Sequence, residues 1–416
     1  MKRTSLGMCV IVISCMMLFS ACNTNGVPKS SNYKDEYLGE EDFNPSTVSW
    51  LKKPHGVTVL DGTLYFVAGD FLFFADAESK QARVLCFKPD CLHNEDPDPA
   101  KIPQCDAYLG SLMQTFLGHY DGKLYFSCLN QKTGHTDIME SMKDGSRRKS
   151  VLENIDNMEH ICFHRGVFYY VLREVELSGE SVTSLMAYSL LSPRKAPYKI
   201  VEFTDGSIID QLLPYGTRVI FSRTTPYVED VGDDIFLYEY NIRSGAVSEL
   251  PFEVDTQIYG LYDGKLIVRV PYPAACFCEY TFSDKSVNPS DWLNEFYDKQ
   301  KPAMPIYDQI QNDIAFFNLI KEDFSPDYDL HVINREGNVV ATIEKSAFGT
   351  TTSETVTWNG KTYYMAYRTM DPFSVCLYSN EDLLQGVVNP EVLLQVESFY
   401  ELIPAVILPR FDDQLE

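Results

Sequence analysis

Short hydrophobic runs rich in tyrosine and phenylalanine recur along the chain, and a two-residue turn opens each of them. The copies are Asp61-Gly62 before TLYFVA, Asp121-Gly122 before KLYFSC, Arg165-Gly166 before VFYYVL, Tyr215-Gly216 before TRVIFS, Asp263-Gly264 before KLIVRV, Asn312-Asp313 before IAFFNL and Asn359-Gly360 before KTYYMA. Six of the seven keep glycine, and Asp-Gly and Asn-Gly suit two-residue hairpin loops because glycine accepts positive φ. Counted on the second turn residue, the intervals are 60, 44, 50, 48, 49 and 47. A period of about 48 residues made of strands and turns predicts propeller blades rather than a helical solenoid.

Each unit reads as four strands. The fourth is the plainest: SIIDQLLPYG, TRVIFSR, DIFLYEYNIRSG and AVSELPF, with Ile235, Leu237 and Glu239 alternating with Phe236, Tyr238 and Tyr240. The turns between third and fourth strands carry Asp144-Gly145, Ser244-Gly245 and Glu336-Gly337. The fold class expected is all-β: a single seven-bladed β-propeller of four-stranded antiparallel blades over residues 46–410. Ring closure would remove exposed sheet edges. Tyr400 to Leu408 is expected to add a closing strand, confined to an edge by Pro404. Two helices are expected as rim decoration, one after Asn288-Pro289-Ser290-Asp291 and one over Ser379 to Gln385.

The amino terminus follows a different pattern. Lys2 and Arg3 precede the apolar run Met8 to Phe19, then Ser20, Ala21 and Cys22. This is the layout of a secretory signal over residues 1–21, too short to span a bilayer comfortably. Leu18-Phe19-Ser20-Ala21-Cys22 resembles a bacterial lipobox, with Phe19 where leucine is usual. The resemblance implies cleavage before Cys22 and acylation of its thiol. It also implies a cell-membrane location on the extracytoplasmic side, with residues 22–45 as a polar tether. Together, the Asp-Gly-Lys-Leu-Tyr-Phe units and the lipobox resemble bacterial propeller lipoproteins of unknown function, in the style of TolB-like and WD40-like propellers. That resemblance speaks for fold and not for activity.

Charge narrows the partners. The chain has 59 acidic against 35 basic residues in 416, a formal charge of -24. That excludes a general nucleic-acid binder and electrostatic docking on anionic lipid, leaving the lipid anchor as the link to a membrane. The 26 Tyr and 25 Phe against 3 Trp fit a strand-rich chain.

Eleven cysteines divide unevenly. Cys9 and Cys15 lie in the signal and Cys22 is the lipidation site. Cys128, Cys162, Cys276, Cys278 and Cys376 fall in apolar strand patterns, as core residues do. Cys86, Cys91 and Cys105 share one proline-rich loop with His93, in VLCFKPDCLHNEDPDPAKIPQC. Three thiols and an imidazole suit a structural Cys3His zinc site, and a long loop without helix or strand of its own needs such a clip. A disulfide, Cys91–Cys105 or Cys86–Cys105, is the competing reading outside the cytoplasm.

Catalytic signatures are absent from the sequence: there is no G-x-S-x-G elbow, H-E-x-x-H or P-loop. The repeats leave no room for an appended hydrolase domain. Arg173, Arg223, Lys321 and Arg368 end the second strands of their units and are candidates for a cationic ring binding an anionic ligand, unless each pairs with a neighbouring carboxylate. The function expected is a propeller that binds or scaffolds a protein or glycan partner. The alternative expected is a carbohydrate-active enzyme, a glycosidase or lyase, with carboxylates at the axis.

Overall fold

The computed structural model describes residues 56–402, except 87, 94–98, 111–115, 176–180, 193–195, 229–232, 263, 272–275, 302–303, 312, 321–325, 345–352 and 369–370. Residues 1–55, with the expected signal over 1–21, Cys22 and the expected tether over 22–45, lie outside the described residues, as does Lys321. Seven four-stranded antiparallel sheets are present, each built from four strands consecutive in sequence. They occupy residues 57–84, 117–155, 158–203, 208–249, 257–289, 304–343 and 353–396, and form the seven blades of one propeller. No helix among the described residues is long and apolar enough to cross a membrane.

The turn pairs explain the local fold. Asp61-Gly62, Asp121-Gly122, Arg165-Gly166 and Asn359-Gly360 have positive φ at both positions. That is the requirement of the two-residue turn whose twist matches that of its strands. First strands of neighbouring blades lie against one another and are therefore the innermost. Side chains stitch them together. Thr58 Oγ1 pairs with His119 Nδ1 at 2.7 Å, and His164 Nε2 with the Gly216 carbonyl at 2.7 Å. Gln211 Nε2 donates to the Ile258 carbonyl at 3.3 Å, and Thr355 Oγ1 to Gln309 Oε1 at 2.5 Å.

Blades three to six share an irregularity. Glu159, Asp210, Tyr259 and Asp308 are each one residue too many in the inner strand, so the register against the second strand slips there. Blades one, two and seven pair without a slip. A bulge leaves local backbone groups outside the ladder and re-aims side chains.

The core lies between blades, which is where the aromatics of the repeat go. Phe116, Tyr125, Phe163 and Phe168 pack between blades two and three, and Tyr169, Phe221 and Tyr240 between three and four. Phe316 stacks on Tyr364 between six and seven at 4.4 Å. Each ring so buried contributes about 1.5–3 kcal/mol, and none of them finds its partner within its own blade alone.

The expected decorations differ in role. Helix α1 (Asp291–Gln300) buries Trp292, Leu293 and Phe296 among Tyr259, Phe277 and Phe317, so it belongs to the core between blades five and six. Its N-terminal Ser290 does not cap the helix; its hydroxyl donates to Glu279 Oε1 at 3.0 Å. Helix α2 (Asn380–Leu384) is capped by Ser379, which accepts from the Asp382 amide at 3.4 Å.

Ring closure also differs from expectation. Among the described residues no strand is exchanged between first and last blades. The Gly56 amide donates to Glu354 Oε1 at 2.9 Å, Trp358 Nε1 to the Gly62 carbonyl at 2.9 Å and the Ala82 amide to the Leu393 carbonyl at 2.9 Å. Blade seven has its own four strands, the last of them Glu391–Val396. Phe399–Leu402 coils as a 3-10 turn instead. It plugs blade one through a bond from the Asp70 amide to the Leu402 carbonyl at 2.9 Å. The remainder of the expected closing strand, 403–408, lies outside the described residues.

Candidate metal centre

The connection from blade one (Arg83–Val84) to blade two (Leu117–Tyr120) carries the cysteine loop. Its course is fixed from both sides. Leu72 donates to the Ala107 carbonyl at 2.9 Å and Leu109 to the Asp70 carbonyl at 2.8 Å, and Tyr108 bridges Phe71. From blade two, the Arg148 guanidinium donates to the carbonyls of Asp106 at 2.6 Å and Tyr108 at 3.2 Å, and to Cys128 Sγ at 2.8 Å. It lies 4.9 Å over the Phe126 ring. Contrary to the sequence expectation, the loop has an element of its own, a 3-10 helix over Pro99–Gln104. That helix sends Ile102 into the core and delivers Cys105.

Sequence spacing thus becomes a cluster. The ligand atoms of Cys86, Cys91, His93 and Cys105 all lie within 4.8 Å of one another, and His93 Nδ1 is 3.5 Å from Cys105 Sγ. All three thiols are free. Cys86 and Cys105 are buried, and Cys91 and His93 half-buried. Burial pushes the Cys105 thiol well above its ordinary range, opposed by an N–H bond from Ala107 and reinforced by Cys86 and Cys91. Lys88 crosses the loop, donating to the Gln104 carbonyl at 2.6 Å and pairing with Asp106 at 2.6 Å. Asp106 first, then the neighbouring thiols, hold its ammonium above the usual lysine range. His93 keeps a left-handed backbone at φ 56, uncommon for a residue other than glycine and a mark of local constraint.

The other described cysteines lie apart from this cluster, and among them Cys276 and Cys278 bring their sulfurs to 3.7 Å. Cys162, Cys278 and Cys376 are buried, as expected of core residues, whereas Cys128 and Cys276 are half-buried. Cys128 accepts from Arg148, a partner that spacing in the sequence could not reveal.

The cations proposed from sequence sit at the ends of second strands. Arg173 pairs with Glu159 at 3.5 Å. Arg223 binds Asp205 and Ser207 and stacks 4.5 Å over Phe203. Arg173 thus pairs within blade three, whereas Arg223 of blade four reaches back to the connection from blade three, and each uses a carboxylate other than the adjacent one in sequence. Arg368 lies beside Cys376 and Tyr378 of blade seven. Among the histidines, His160 is held below its usual range by burial, opposed by Asp210.

Comparison with protein-family models and with curated proteins gives no match. Solved structures do resemble the chain. Prolyl oligopeptidase B from Galerina marginata matches at 10% identity and a TM-score of 0.51, over 82% of this chain and 51% of that one. A second structure of it matches at 8% and 0.50, over 78% and 47%. Pyrococcus horikoshii acylaminoacyl peptidase matches at 12% and 0.45, over 81% and 53%. The chain spans about half the length of these peptidases. At such identities the likeness shows the fold. The functional expectation is corrected as well: the neighbours reported at a TM-score of 0.50 or more are peptidase propellers, and they support neither a glycosidase or lyase nor a pure scaffold for a protein or glycan partner. The repeat encodes blades, and its aromatics are spent between them, so it never carried ligand information.

Proposed function

We propose that this chain is a peptidase-type propeller that receives peptides for hydrolysis by groups lying outside residues 56–402. The observation that carries this reading is the closed ring of seven unexchanged blades and its match to prolyl oligopeptidase B at TM-scores of 0.50 and 0.51. Those structures hold 35mer and 25mer substrates of that enzyme. Two features of the chain support the reading. The sequence contains no nucleophile elbow of its own. The inner strands of blades three to six are bulged at Glu159, Asp210, Tyr259 and Asp308, and backbone released from a ladder can meet an extended peptide through its own N–H and C=O groups.

The location belongs to the same proposal. Lys2, Arg3, the run Met8 to Phe19 and Cys22 support export over residues 1–21 and a lipid on Cys22, in the manner of propeller lipoproteins of the TolB-like style. Mass spectrometry of the amino-terminal peptide reads this directly, since it should begin at Cys22 and carry a diacylglyceryl group.

The functional test is depletion. Membrane extracts from cells bearing the chain are assayed for hydrolysis of fluorogenic peptides and of oligosaccharides, before and after removal of the chain by antibody. Peptide hydrolysis should fall with the chain. Unchanged peptide hydrolysis alongside a loss of glycan cleavage would defeat the proposal.

A further inference from the structure

We infer that Cys86, Cys91, His93 and Cys105 hold one structural zinc ion in a closed Cys3His tetrahedron that locks the connection between blades one and two. The donor set is what zinc takes in structural sites: three thiolates at about 2.3 Å and an imidazole nitrogen at about 2.0–2.1 Å, with no place left for water. A tetrahedron of those lengths puts sulfur about 3.6 Å from nitrogen and sulfurs about 3.8 Å apart. The separation of Cys105 Sγ from His93 Nδ1, 3.5 Å, already has that value, and the whole set converges within 4.8 Å.

Two further observations favour a metal over a disulfide. A disulfide would join two of the three thiols and use neither the third nor the imidazole, although all four ligand atoms converge within 4.8 Å. His93 adopts its left-handed backbone at φ 56 in the conformation that brings Nδ1 to the sulfur. Lys88 braces the same loop, donating to the Gln104 carbonyl at 2.6 Å and pairing with Asp106 at 2.6 Å, on either side of Cys105. The Ala107 N–H that bonds Cys105 serves as the outer support that ligands of such centres need. The ion's place in the fold gives it a task. Among the described residues of 86–105, Ile102 is the buried aliphatic anchor, yet the segment must hold the entry to blade two in register.

The test uses the purified full chain, prepared without chelator. Elemental analysis should find about one zinc per chain. Peptide mapping should find Cys86, Cys91 and Cys105 unlinked, and resistant to alkylation until a chelator is added. Because Cys105→Ser replaces a core residue and can fail to fold, the half-buried ligands are changed as well. Cys91→Ser and His93→Asn should each lower zinc content at least tenfold after dialysis, while Cys276→Ser retains it. A chain free of zinc with a Cys86–Cys105 or Cys91–Cys105 disulfide overturns the inference. So does zinc retained in full by the Cys91→Ser, His93→Asn double variant.

Discussion

Gly69 and Gly62 flank the second strand of blade one, and both have positive φ, +56 and +76. Their surroundings differ. A Cβ on Gly62 meets nothing within 4 Å, whereas one on Gly69 would stand 2.4 Å from the Leu402 carbonyl oxygen and 2.6 Å from the Leu402 Cβ. Backbone cannot yield at that distance, so Gly69→Ala must push the 399–402 turn off blade one. The loss includes the bond from the Asp70 amide to Leu402, about 0.5–1.5 kcal/mol. It also includes the burial of Leu402, now 1% exposed, about 1.5–3 kcal/mol. The conformational term, about 1–2 kcal/mol for alanine in the left-handed region, is common to both substitutions. Gly69→Ala should therefore cost about 2–4 kcal/mol more than Gly62→Ala. Urea unfolding of the two variants measures the difference, and hydrogen exchange at the Asp70 amide shows whether the turn has left. Equal losses in the two variants, with Asp70 still protected, would refute the plug as the closing device.

Other consequences of the structure are open to simple measurements. Trp358→Phe removes the bond to the Gly62 carbonyl across the seam but keeps most of the ring's burial, and should cost about 1–3 kcal/mol in urea unfolding, mostly from the acceptor left unpaired. Arg148→Ala strips the loop of its bonds to Asp106, Tyr108 and Cys128 and should cost about 2–4 kcal/mol; limited proteolysis should then cut first within residues 86–105. Burial raises the Asp70 carboxyl to about 6 from 3.8, so the folded state favours the protonated form. Its favourable share is present below about pH 4 and is lost as pH rises through about 6. Asp70→Asn should accordingly stabilise the protein at pH 8 by up to about 3 kcal/mol and have no effect near pH 4, as thermal unfolding across that range will show.

Much of the fold was legible because its signals are local. Asp61-Gly62 and Asn359-Gly360 announce their hairpins through backbone conformation alone, and alternation from Ile235 to Tyr240 announces a strand. The cluster of Cys86, Cys91, His93 and Cys105 was legible for a similar reason, since all four lie within one loop. What remained hidden depends on residues distant in the chain. Trp358 finds Gly62, 296 residues earlier in the chain, across the seam, and Arg148 reaches back to a loop 40 residues earlier. The inner bulges leave no mark, because Glu159 or Asp210 reads as an ordinary polar position until its partner strand is known. Phe399–Leu402 is apolar enough for a strand, and its contact with blade one, 332 residues earlier at Asp70, is visible only in the fold. The function expected from the propeller failed because a blade repeat specifies the fold and leaves the ligand open.

The claim that the ring handles peptides is tested most directly by equilibrium binding. Fluorescently labelled peptides of about 10–30 residues, suited to an extended-strand mode, and labelled oligosaccharides of similar mass are titrated with the purified chain, and a photoreactive peptide then maps the contact. The account predicts saturable binding of peptides alone, with cross-links on the bulged inner strands around Glu159, Asp210 and Tyr259. Saturable binding of oligosaccharides without peptides, or cross-links confined to the outer strands, would contradict it.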